Sequence, residues 1–396
     1  MHAWRARVAF DGERFLDGGA TVLVEGEEIV GVEPAAYDVP HDCAVTEFEG
    51  TLLPGLFDCH VHLVADGTVG GLERVGEYDD ATLDRVIVES LSAQVAMGVT
   101  TVRDLGDTGY RTLAHRLDPG LPRVVAAGPP LTVPDGHCHF LGGVVTADGI
   151  KDAIAEHADR GVDVVKVMAS GGMLTPGTDV LGIQFDPAEL RQLVEIAHDL
   201  GLSVLAHAHS LAGIQHAIAA GVDGIEHFTG LTAEGVQLPD AVLSLVAAGG
   251  IVVDPTLGTD LAKLAEIGEP PPAIKAVMER LGLDPMDMFE GRIALLSRFR
   301  EYDVRLVTGT DAGIGPPKQH GNAWLAVMDL VRGGYPVDEA LATATSGAAD
   351  ACDLTGITGR MAPDHLADLL AVDGDLRTDP NALGRPATVM VRGLQG

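Results

Sequence analysis

Basic residues are scarce in this chain. Its 396 residues hold 26 Lys and Arg against 58 Asp and Glu, a formal charge of −32. Nucleic-acid binding rests on a cationic face, so this balance argues against nucleic acid as a partner and against anionic membrane surfaces. No stretch of about 18 uninterrupted apolar residues exists, so no membrane span is expected. The opening MHAWRARVAFDGERF has no apolar run before Asp11, and a secretory signal is not expected. The four Cys (Cys43, Cys59, Cys138 and Cys352) lie far apart with no C-x-x-C, which weakens both a disulfide framework and a zinc ribbon. A reducing cytoplasm is the expected setting. The 50 Gly show no three-residue period, so collagen is excluded. No G-x-G-x-x-G follows the first strand, which leaves a doubly wound dinucleotide fold without support.

What is present is a soluble globular balance, 46% apolar and 21% charged, in a chain long enough for one large domain or two modest ones. Both ends read as short strands between Gly and Asp breakers. VAFDGERF, ATVLVEGEEIVGVEP and AVTEFEGTLLP lie near the start, and ADLLAVDGDL and PATVMVRG near the end. They predict one small β-sandwich domain built from residues 1–51 and 357–396. Between them, residues 52–356 alternate apolar runs with amphipathic helical stretches. The runs include LLPGLFDCHVHL, GVTTVRDLG, VDVVKVMAS, LSVLAHAHS, VDGIEHF and DVRLVTGTDAG. Asp186-Pro187 marks a helix start, and Gly201 and Gly221 mark helix ends. Eight strand–helix units in this space predict an α/β fold, a (β/α)8 TIM barrel. Residues 258–301 predict two or three helices broken by Pro270, Pro271 and Pro272, walling one side of a pocket.

Seven of the 15 His fall at the C-terminal ends of predicted strands: His60, His62, His137, His139, His207, His209 and His227. In a barrel these ends share one face, where active sites are built. His60-x-His62 puts both imidazoles on one side of a strand, within reach of one ion. Lys166 sits inside VDVVKVMAS, where a buried ammonium is costly unless paired or neutral. Two readings stay open: an internal salt bridge, or an amine modified by carbon dioxide to a carbamate that bridges two metal ions. Asp311 in TGTDAG ends the last predicted strand, placed either to bind metal and handle protons or to cap a turn. Glu226 precedes His227, and strict strand alternation predicts that it packs outside the barrel or is structural.

These motifs, with GIEHF, EALATAT and the His320-Gly321 pair, resemble the amidohydrolase superfamily over about residues 20–375. The likeness is to its prolidase-like or imidazolonepropionase-like branch of metal-dependent hydrolases. The resemblance implies two divalent metal ions, zinc, in the barrel. It implies that His60 and His62 bind the more buried ion, that carboxylated Lys166 bridges both, that His207 and His227 bind the second, and that Asp311 ligates the first and moves protons. His209, His137, His139 and Arg103 are the candidate substrate contacts. For Arg103 an ion pair with Asp104 or Asp107 is the alternative. Single-metal deaminase relatives lack the strand-4 lysine, so Lys166 favours a two-metal hydrolase.

The implied reaction is attack of a metal-bridging hydroxide on an amide carbonyl. The expected substrate is a small molecule, a dipeptide of Xaa-Pro type or an N-acyl amino acid. The alternatives are a carbamate, urea or aryl amide, a cyclic amide or lactone, and a non-catalytic barrel scaffold. Self-association to a homo-oligomer is expected only by analogy with other large barrels.

Overall fold

The structure, a computed structural model, describes residues 1–395 except 269 and 271. The chain opens with five strands, β1 (His2–Phe10), β2 (Phe15–Leu16), β3 (Ala20–Glu25), β4 (Glu28–Pro34) and β5 (Ala44–Pro54). A mixed region follows: β6 (Leu56–Val61), α1 (Asp80–Ala96), β7 (Val99–Asp104), β8 (Arg123–Ala126), α2 (Ile150–Arg160), β9 (Val164–Met168) and α3 (Pro187–Asp199). It continues through β10 (Ser203–Ser210), α4 (Leu211–Ala220), β11 (Gly224–Thr232), β12 (Gly235–Val236), α5 (Asp240–Gly249) and β13 (Val252–Asp254). Six helices come next: α6 (Leu261–Ile267), α7 (Pro272–Leu281), α8 (Pro285–Glu301), α9 (Ala323–Arg332), α10 (Val337–Ala342) and α11 (Ser346–Ala351). The chain closes with β14 (Leu369–Val372), β15 (Pro386–Val391) and β16 (Leu394–Gln395).

The two ends of the chain meet in one eight-stranded sheet, ordered β16-β15-β14-β5-β1-β3-β4 with β2 beside β1. Its apolar side packs around Trp4, Val22, Ile29, Leu52, Leu369 and Met390. Strand β5 stays in this sheet to Pro54, pairing with β14, so the terminal unit runs slightly past residue 51. At Gly55 the chain leaves it, because a Cβ there would meet the Thr100 side chain at 2.2 Å.

In the middle, β6-β7-β8 and β9-β10-β11-β13 are parallel ladders. Parallel bridges extend them: Leu131 to Val167, Val253 to Leu306, and Val61 to Ala312. The mixed α/β character follows from local signals. Asp186 closes a capping box with Glu189 at the start of α3, and Gly221 ends α4 at φ +84°.

Two expectations are corrected. The stretch 303–313 makes isolated bridges rather than a regular strand. Asp311 sits at φ +60°, and the Thr310 N–H is taken by Asp58 Oδ1 at 2.9 Å instead of a neighbouring strand. The sequence VDEALATATSGAADACDL carries one helical pattern, yet residues 337–354 break into α10 and α11, with the Thr345 hydroxyl donating to the Leu341 carbonyl at 2.8 Å. The segment 258–301 holds three helices; Pro271 lies outside the described residues. Among the described residues, no helix is long and apolar enough to cross a membrane.

Candidate active site

His60 belongs to β6, Lys166 to β9, His207 and His209 to β10, and His227 to β11, while His62 and Asp311 lie just beyond paired segments. Because parallel ladders hold these segments in register, residues far apart in sequence converge. The His60 and His62 rings are 5.4 Å apart, and His60 and His227 are 5.3 Å apart. The His207 ring lies 4.5 Å from His227 and 4.8 Å from His209, and His209 stacks on His227 at 4.4 Å. Donor atoms of His60, His227 and Asp311 lie within 4.8 Å of one another, as do those of His207, His209 and His227.

Hydrogen bonds fix the orientation of several rings. His60 Nδ1 donates to Glu226 Oε2 at 2.8 Å, and His62 Nδ1 donates to the Gly106 carbonyl at 3.1 Å. That turns both Nε2 atoms to Asp311 Oδ1, at 3.5 and 3.2 Å. His227 Nδ1 pairs with Thr256 Oγ1 at 3.0 Å, and His209 Nδ1 with Thr229 Oγ1 at 3.0 Å. Such anchoring of the outer nitrogen is what orients imidazoles for a metal.

Burial governs the charge states. Desolvation, then the neighbouring Lys166 charge, lowers His60 to about 4. Burial lowers His209 to about 3 and His137 to about 3, and holds His207 and His227 well below the usual range. These imidazoles are therefore neutral, with lone pairs available to a cation. For Asp311, burial is outweighed by His60 and His62, and its carboxyl stays ionised far below the ordinary range. Lys166 is 1% exposed and its Nζ has no hydrogen-bond partner among the described residues. Burial lowers its pKa against the pull of Glu226 and Asp311.

Of the sequence-proposed substrate contacts, His137 lies beside the cluster, its ring 4.6 Å from His207 and its Nδ1 2.8 Å from Thr175 Oγ1. His139 turns aside, donating to the Gly136 carbonyl at 2.9 Å. Arg103 is corrected. It lies within β7, 3% exposed, with Nε donating to the Cys59 carbonyl at 2.8 Å and Nη2 3.3 Å from Glu226. A cavity of about 400 Å³ that Arg103 helps line also touches Ser203, Gly221 and Val252, at the starting ends of strands. Arg103 thus spends its guanidinium on the Cys59 carbonyl and on Glu226, the carboxylate that also holds His60.

Of the two readings of Glu226, packing outside the barrel is corrected. Glu226 is 1% exposed and hydrogen-bonded to His60, not turned outward. The reason is a break in alternation: His227 and Phe228 take φ +69° and +47°, and the β10–β11 register shifts after Ala208. Neighbouring residues Glu226 and His227 therefore both point inward. Lys166, His60 and Arg103 outweigh burial and hold Glu226 at about 2. Asp254, missed in the sequence, lies 4.0 Å from His60 with no hydrogen-bond partner for Oδ2 among the described residues, and burial raises its carboxyl well above the usual range. The backbone at Gly309 makes room for it, since a Cβ there would meet Asp254 Oδ2 at 1.8 Å.

Comparison with known proteins agrees with this geometry. The model of the amidohydrolase family matches residues 51–395. An uncharacterized protein of Mycobacterium tuberculosis is 30% identical over 376 residues, covering 94% of this chain and 90% of that protein. Ochratoxinase of Aspergillus niger is 27% identical over 409 residues, covering 93% and 80%. A crystal structure of a Xaa-Pro dipeptidase with bound methionine superposes with TM-score 0.86 at 24% identity, covering 100% of this chain and 99% of that one, and shares its fold. The chain belongs to the amidohydrolase family, enzymes acting on amide carbon–nitrogen bonds.

Proposed function

We propose that this enzyme hydrolyses the amide bond of a dipeptide or an N-acyl amino acid at a centre of two divalent cations, zinc. The ligands are His60, His62, Lys166, His207, His227 and Asp311. The observation that carries the reading is Lys166: an amine buried at 1% exposure without a hydrogen-bond partner, amid neutral imidazoles and carboxylates. Burial favours its neutral form, the form that adds carbon dioxide and releases a proton to become a carbamate. That change turns an orphaned donor into two anionic oxygens suited to cations. The donor set of imidazole nitrogens and carboxylate oxygens suits zinc.

When bound, the cations supply a water activated at neutral pH and polarise the amide carbonyl. Asp311, held ionised, takes the proton of the attacking water and returns it to the leaving nitrogen. Glu226, bonded to His60 Nδ1, fixes that ring's tautomer and keeps its other nitrogen inward. His137 and His209 flank the cluster and meet the substrate.

The fold reading is a (β/α)8 barrel over 52–356 with a small β-sandwich from 1–51 and 357–396. The run of parallel bridges around β6 to β13 and 303–313 supports the first, and the shared terminal sheet supports the second. Unpaired cysteines fit a cytoplasmic setting, where the partner is a small molecule.

The test is metal content and turnover of K166A beside the wild type, on dipeptides and N-acyl amino acids run against carbamates and lactones. Loss of metal and of amide hydrolysis together is expected. Full two-metal loading and full turnover in K166A overturns the carbamate role.

A further inference from the structure

Two cations sit beside the His cluster in no close ion pair among the described residues, with the charges of Asp329, Asp311 and Asp254 acting on both from farther off. Arg292, on α8, donates from Nη2 to the Pro255 carbonyl, to the Thr256 carbonyl at 2.8 Å and to Thr256 Oγ1 at 2.7 Å. Lys318, in the loop before α9, donates from Nζ to the carbonyls of Thr256 and Leu257 at 2.8 and 2.9 Å. Both therefore close on one peptide segment, residues 255–257. That segment abuts the cluster, since Thr256 Oγ1 is the partner of His227 Nδ1 at 3.0 Å. The Arg292 charge also bears on His209, and the Lys318 charge on Asp311.

Neither cation lies within 4.0 Å of a carboxylate among the described residues. This is notable in a chain with 58 acidic residues, where exposed arginines such as Arg300 and Arg332 find Glu339 and Glu290. Bracing carbonyls alone calls for neutral donors, not two partly buried charges. Arg292 Nε is buried and has no partner among the described residues, so the guanidinium is unsatisfied as it stands. Burial also pulls the Lys318 amine down to about 8. Two cations converging beside His209 and His227, with the Arg292 Nε donor unspent and no carboxylate in ion-pair contact among the described residues, make a seat for an anion.

We propose that Arg292 and Lys318 form an anion subsite that takes the carboxylate of the amino-acid half of the substrate, next to the scissile amide. The proposal rests on the amide-hydrolase reading and narrows its substrate to molecules with a carboxylate near the cleaved bond. It sets neutral ureas, carbamates and aryl amides aside as preferred substrates. An arginine offers a planar fork and a lysine a point charge, so together they fix both the position and the tilt of a carboxylate.

The experiment pairs each N-acetyl-L-amino acid and each dipeptide with its C-terminal carboxamide, which keeps the scissile bond and removes the charge. Wild type, R292Q and K318Q are assayed on both members. The acid-to-amide ratio of kcat/KM cancels any loss common to the two. The wild type is expected to prefer acids by at least about tenfold, and each variant to shrink that ratio about tenfold, mainly through KM. Equal turnover of acids and carboxamides by the wild type, or a preference kept in both variants, overturns the subsite. Calorimetric binding of N-acetyl-L-leucine to wild type and both variants separates this from the reading it rests on. If nothing in the panel is cleaved, the hydrolase reading fails. Binding that weakens about tenfold in R292Q then still sustains the subsite, and absence of binding by the wild type ends it.

Discussion

Lys166 concentrates the problem at the scale of single side chains. A buried amine with no hydrogen-bond partner is a liability in the bare fold, costing about 1–3 kcal/mol. K166M keeps the length and removes the polar atom. Metal-free K166M is expected to melt at or above the wild-type temperature, while amide turnover falls by about a thousandfold. A lower melting temperature with activity kept would mean that the amine is structural. His209 offers a pH test. Its folded value, about 3, lies below the ordinary imidazole value of 6.5 because of burial. Below 6.5 the unfolded chain takes up a proton that the fold refuses. The contribution of His209 is therefore whole above 6.5 and is lost as pH falls toward 3. The stability difference between wild type and H209Q should shrink by about 1.4 kcal/mol per pH unit across that window. Urea melts of metal-free protein at stepped pH measure it, and a constant difference counts against neutral buried His209.

Among the elements, the central strands carry the site because their register is fixed on both sides. His207 and Lys166 come from adjacent paired strands, and His60 from a strand that reaches Ala312 through Val61. H-x-H and the lone strand lysine were legible because period-two alternation sends their side chains to one face; Asp311 was legible from its motif, TGTDAG. What was hidden lies where alternation fails. Glu226 turns inward only because His227 adopts φ +69°, which no apolar pattern announces. Asp254 follows a short run, GIVVDPTL, in which an acid reads as a strand-ending turn residue. Arg292 lies on a helix far along the chain, and nothing in its spacing tells that its guanidinium reaches Thr256. The stretch 303–313 read as a strand because its apolar residues resemble one. Its backbone donors are instead shared with Asp58 and Thr343. Gly309 is the pivot here: G309A would push a methyl into Asp254 and against His60 Cβ at 2.8 Å. We expect it to cost about 1–3 kcal/mol of stability and to lower metal content, measured by urea titration and elemental analysis. Wild-type metal loading in G309A would show that Asp254 and His60 move freely.

Across the whole molecule, the sheet from the two termini and the site-bearing region divide their work. The terminal sheet buries Trp4 completely, 0% exposed, in a core separate from the one beneath the His cluster. W4A should cost about 3–5 kcal/mol while leaving turnover per folded molecule near that of the wild type. Unfolding followed by tryptophan fluorescence and activity in parallel checks this. A large loss of turnover in fully folded W4A would mean that the terminal sheet shapes the site. The strong negative charge of the chain acts at this scale too. It makes unpaired cations rare, which is why Arg292 and Lys318, in no close ion pair among the described residues, stand out.

The central claim is that six dispersed side chains hold two cations and that these are needed for amide cleavage. Elemental analysis of protein purified in zinc and bicarbonate, with turnover followed as metal is chelated and restored, tests it most directly. The account predicts two ions per chain, with activity lost and regained in step with them. Undiminished amide hydrolysis by protein stripped of metal would contradict it.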